Sequence, residues 1–175
     1  MKIDNYRAFK AAIVETDFQE FMAEKGSLRK AWHCAGSLFH LHDWVYQAQA
    51  KAIKAKFKFI NDKKQKQRVS NASHFANSLG QAHADFELIR GIANASKHFV
   101  LRTPPPARLR PRGMPSHAAN VYVTSVTFQP GAFQPSAFQT QGDVMLQAQP
   151  KDIAFADLAR SVKGMWDQLF VSEGG

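Results

Sequence analysis

Residues 28–60 read LRKAWHCAGSLFHLHDWVYQAQAKAIKAKFKFI. Leu28, Trp32, Ala35, Phe39, His42, Val45 or Tyr46, and Gln49 recur along this stretch at helical spacing. Such a repeat lines one face of an α-helix, so the stretch predicts one long helix with a buried stripe. After Ala48 its outer face becomes lysine-rich, and that end is expected to project into solvent. Gly26-Ser27 stops the chain before it, and Ser27 can cap its first turn.

On the N-terminal side, Tyr6, Phe9, Ile13, Phe18 and Phe21 or Met22 predict a helix over residues 4–25. Asp4 is its expected cap, and Thr16 followed by Gln19 resembles a capping box that would break it near Thr16. On the C-terminal side, residues 61–69 are polar and basic, a loop or a frayed helix end. A short helix follows over 71–82, around Phe75 and Leu79, with Asn71 or Ser70 as cap. The next helix covers 85–100. Asp85 and Glu87 suit the positive end of its dipole, and Lys97 and His98 the negative end.

Five prolines within 103–119 end the helical pattern. Residues 120–128 and 143–149 alternate as strands. Between them a five-residue motif repeats at Phe128, Phe133 and Phe138, each followed by glutamine. It reads either as a hairpin loop pinned to the core or as a protein-partner loop over 128–140. Ile153, Leu158, Val162 and Leu169 then mark a last helix, 151–170. The expected fold is therefore mainly α, a single domain over 1–175. Its parts are a bundle of four to five helices (1–102), a Pro/Arg-rich loop (103–119), a C-terminal β-hairpin inserted before the last helix (120–149), and that final helix (150–175).

The 175 residues are 45% hydrophobic, enough for a sizeable core, and the one cysteine excludes a disulfide framework or a Cys-based zinc site. Met1 to Arg7 lack a signal peptide's apolar run, and no stretch approaches the roughly 18 apolar residues of a membrane span. A soluble, cytoplasmic protein without membrane contact is expected. The net charge of +9 is unevenly spread. Residues 51–68 alone carry +7, from Lys51, Lys54, Lys56, Lys58, Lys63, Lys64, Lys66 and Arg68 against Asp62. Arg102, Arg108, Arg110 and Arg112 add +4 within 101–112. Segregated positive charge attracts polyanions such as RNA by releasing their counterions. The plain alternative is a solvated helix end and an exposed loop. Phe57 and Phe59 lie within the lysine run, where either bases or the core can take them.

The chain has no glycine-rich phosphate loop, nucleophile elbow or His-Glu-x-x-His motif. Cys34 reads as a small core residue. No two histidines stand four apart, and no metal or cofactor is expected. The chemistry-bearing segment is DFELIRGIANASKH, 85–98. Arg90, Asn94 and His98 stand four apart and form one polar stripe between apolar faces. Half-buried Arg, Asn and His need partners, and His42 and Asp43 of the long helix are the matching candidates. The group reads as a packing network, as a small-ligand pocket, or as a site. In a site His98 transfers a proton, Arg90 stabilises an anion and Asn94 orients a phosphate or ring.

At this segment the sequence resembles the HEPN superfamily, small helical bundles of prokaryotic toxin, antiphage and RNA-processing systems. The resemblance spans about residues 28–100 and rests on Arg90 followed by His98, with Asn94 between them. It implies a metal-independent ribonuclease whose active site is shared by two copies in a homodimer. The spacing from Arg90 to His98 is longer than the family's usual gap, and Gly91 stands where the family often has a polar residue. The expectation carried forward is a nucleic-acid-associated bundle, with an assembly protein acting through the phenylalanine loop as the alternative.

Overall fold

The long helix expected from residue 28 is α3, Leu28–Lys56, and the other helices pack around it. The computed structural model describes residues 3–95, 121–124, 142–147 and 151–171. Before α3 lies one continuous rod: α1 (Tyr6–Phe9), a single π-helical turn (Lys10–Val14) and α2 (Glu15–Ala23). Asn5, not Asp4, caps the rod; its Oδ1 accepts from the Ala8 amide at 2.9 Å. Thr16 does not break it, because its hydroxyl donates back to the Ala12 carbonyl at 2.9 Å. Ser27 caps α3 as expected.

α3 stops at Lys56, four residues before the expected end at 60. The chain then forms a β-hairpin that the sequence reading lacked, β1 (Lys58–Ile60) with β2 (Lys66–Arg68), Phe59 opposite Gln67. α4 (Ala72–Ala82) and α5 (Ala84–Ala95) follow, and Asn71 caps α4 by accepting from the His74 amide at 2.8 Å. The element before the last helix has three antiparallel strands in place of the expected two: β3 (Val121–Val123), β4 (Val144–Leu146) and β5 (Ile153–Ala154). β5 takes the first residues assigned to the final helix, so α6 runs Phe155–Val171. The Val144 amide donates to the Lys25 carbonyl at 3.0 Å, tying the sheet to the turn before α3.

The described residues are thus mainly α, five helical rods and small antiparallel sheets. The core lies where α3 meets α5 and α6. Phe39, Phe86 and Trp166 interlock there, with Phe86 edge-on to Trp166 at 6.0 Å. The Trp166 indole donates to the Leu38 carbonyl at 3.0 Å, so its one polar group is satisfied. Cys34 is wholly buried, and burial pushes its thiol up to about 12. No helix among the described residues is long and apolar enough to cross a membrane.

Candidate nucleic-acid interface

The lysine-rich segment is built on the hairpin and the end of α3. Phe57 and Phe59 stand two apart, which puts both on one side of an extended chain. Phe59 is 5% exposed, and Phe57, half-buried, lies edge-on to Phe75 at 5.1 Å, so both pack onto the core. α4 holds the outer edge of β1 with side chains. The Ser78 hydroxyl donates to the Lys58 carbonyl at 2.8 Å. The Gln81 amide donates to the Ile60 carbonyl and accepts from the Ile60 amide, both at 2.7 Å. That edge is therefore closed as a sheet neighbour would close it.

The turn between the strands is compact. Asn61 accepts the Lys64 amide on its carbonyl at 2.9 Å and the Gln65 amide on its side chain at 2.8 Å. Lys64 takes φ 60°, the left-handed conformation that usually falls to glycine or asparagine. A long cationic side chain thus occupies the position where sterics favour none.

All eight basic residues of 51–68 are exposed. None forms an ion pair within the described residues. Elsewhere paired and unpaired cations are mixed: Lys10 lies 2.9 Å from Asp167, Lys30 2.7 Å from Glu24, and Lys163 2.9 Å from Asp167, whereas Arg7, Lys25, Arg29 and Lys151 form no ion pair among the described residues. On the basic segment, Lys54 and Lys56 instead lie 6.0 Å over the rings of Tyr46 and Phe57.

Beneath the hairpin, between it and α4–α5, opens a cleft of about 980 Å³. Lys63 and Lys64 line it from the turn, and Asn77, Glu87 and Arg90 from the helices. His74 lines it as well, its ring 4.4 Å from Phe59 and its Nδ1 2.8 Å from the Ser70 hydroxyl. α4 and α5 run back against each other about His83. Gly80 comes so close to Glu87 that a Cβ would run into the carboxylate. About one turn further on, Arg90 donates through Nη1 to Asn77 Oδ1 at 2.8 Å and through Nη2 to Glu87 Oε1 at 3.0 Å. The Glu87 and Arg90 side chains are 12% and 24% exposed. Burial raises the Glu87 pKa, and the Arg90 charge counters part of that rise.

Arg90 and Asn94, the described members of the polar stripe, are half-buried. The Arg90 bonds, however, run to α4 and within α5, and not to α3. His42 and Asp43 bond within their own helix. The His42 Nδ1–H donates to the Phe39 carbonyl at 2.6 Å, and Nε2 lies 3.2 Å from Asp43. His42 is 4% exposed, packed between Phe39 and Phe86. Hydrogen bonds from His40 and His42 hold the Asp43 carboxyl well below the usual carboxylate range. Asn94 is half-buried, four residues beyond Arg90 on α5. His98, Arg108, Arg110, Arg112 and the loop 128–140 lie outside the described residues. No cluster of three or more His, Cys, Asp or Glu among the described residues is placed to hold a metal ion. The sequence reading missed His74, Asn77 and Glu87 as cleft residues. Glu87 and Arg90, three apart, carried a signal for the pair, but nothing local pointed to Asn77.

The chain matches no family model, no curated protein and no solved structure.

Proposed function

We propose that this protein binds nucleic acid through the β1–β2 hairpin and the adjoining end of α3. One observation carries the reading: eight exposed cations without ion-pair partners among the described residues lie on one continuous segment beside an open cleft. Unmatched positive charge raises self-repulsion. The left-handed Lys64 adds a backbone cost of about 1–2 kcal/mol. Phosphates would relieve the self-repulsion, and the backbone cost is one the free protein already carries. A HEPN-like ribonuclease is the finer version, with Arg90, Asn94 and His98 as the acting residues. The half-buried Arg90 in the cleft supports that version, although its guanidinium is engaged by Glu87.

A salt titration of oligonucleotide binding tests the proposal. The logarithm of the binding constant should fall linearly with the logarithm of salt concentration. Replacing Lys58, Lys63, Lys64 and Lys66 by alanine should flatten the slope by roughly 0.7–0.9 for each phosphate contact removed. Absence of binding at low salt, or a slope unmoved by the four substitutions, overturns it. RNA recovered from the same mixtures in chelator, with the parent and with His98→Ala, reports on cleavage. Equal or absent cleavage in both ends the ribonuclease version.

A further inference from the structure

We infer that the cleft beneath the hairpin receives an unpaired nucleobase from a single strand whose phosphates follow the turn lysines. The inference rests on the nucleic-acid reading above and narrows it to single strands. At about 980 Å³ the cleft has room for a base and its sugar. Its charge is layered. Lys63 and Lys64 come from the turn with Asp62, a net positive layer, whereas Glu87 stands with Arg90 between the two helices, a layer of no net charge. A carboxylate repels phosphate, so the backbone is held by the turn and the neutral base is the part that enters.

The helix wall has the bonding capacity a base edge requires. A guanidinium carries five N–H donors. Arg90 uses two nitrogens on Asn77 and Glu87 and keeps further N–H groups. The Asn77 amide still has its NH₂ donors, and Glu87 still has Oε2 as an acceptor. Donors and an acceptor side by side match base edges that present both kinds of group. His74, backed by Phe59, supplies a ring on which a base can stack. In a duplex the pairing edge is occupied and the base is held in the stack, so only an unpaired base can enter.

The test compares a labelled single strand with a duplex of equal length, using the full chain. Asn77→Ala should weaken single-strand binding about 5- to 150-fold, the equivalent of one lost base contact. Its salt slope and its duplex affinity should stay unchanged. Arg90→Ala risks the fold by leaving Glu87 unpaired, so a photoreactive thiobase in the strand supplies a second readout. Crosslinks to residues 74–90 are expected. Crosslinks confined to the hairpin lysines, equal affinity for strand and duplex, or equal competition by polyglutamate each overturn the base inference and leave the polyanion reading standing. If neither strand nor duplex binds, the nucleic-acid reading itself fails.

Discussion

The α3–α5–α6 centre and the hairpin edge hold their polar groups in opposite ways. In the centre, His42 and Trp166 sit in an apolar setting and are each hydrogen-bonded to backbone, while the Trp32 indole of α3 is buried without a partner. His42 bonds the carbonyl three residues back, and the Trp166 indole bonds a backbone carbonyl of α3. At the edge one aromatic, Phe59, anchors the hairpin, and side-chain hydrogen bonds from α4 do the rest. That leaves the charges of the edge free and its cleft open. Buried packing is concentrated in the first region and unpaired charge in the second, so substitutions should separate the two.

The largest expected effect is Phe86→Ala. Removing this fully buried ring should cost about 3–5 kcal/mol in denaturant unfolding, whereas Lys63→Ala with Lys64→Gly should not destabilise, because glycine relieves the left-handed backbone cost of about 1–2 kcal/mol. A Phe86→Ala loss no larger than that of the lysine pair would break the contrast. Gln81→Ala comes next, removing two hydrogen bonds at about 0.5–1.5 kcal/mol each. The loss should appear as faster amide exchange over 58–68, with the α5 amides nearly unchanged; uniform acceleration would mean that the edge is no separate unit.

The smallest effect concerns pH. The Asp43 carboxyl is held below its ordinary value, so its contribution to stability is present above about pH 4, the unfolded carboxylate value, and is lost as pH falls below it. Because that carboxylate is half exposed, Asp43→Asn should cost less than about 1 kcal/mol at neutral pH and flatten the acid limb of the stability profile. An acid limb identical to the parent's would show that the His40–Asp43–His42 group contributes nothing measurable.

Much of the fold was legible because helices report themselves locally. The stripe in α3, the caps at Ser27 and Asn71, and the acids opening α5 each depend on residues within a turn of one another. The β1–β2 hairpin was hidden because its lysines also suit an exposed helix face. The period-2 pair Phe57 and Phe59 and the turn opened by Asn61 were its only local marks. The candidate site was half legible. The stripe's burial followed from its apolar borders, but the sequence offered His42 and Asp43 as partners for Arg90, and the structure supplies Asn77 and Glu87.

The sequence by itself determined the helices, the buried stripes and the gathering of positive charge into one segment, because periodicity and charge order are properties of neighbours along the chain. Only the tertiary structure decided that this segment ends in a hairpin, that Ser78 and Gln81 hold its edge, and that Arg90 turns toward α4 and away from His42. The hairpin pairs residues six to ten apart, and the bonds of Ser78, Gln81 and Arg90 to β1 and α4 span a dozen or more, beyond the reach of a helical turn, where packing chooses which side chains meet.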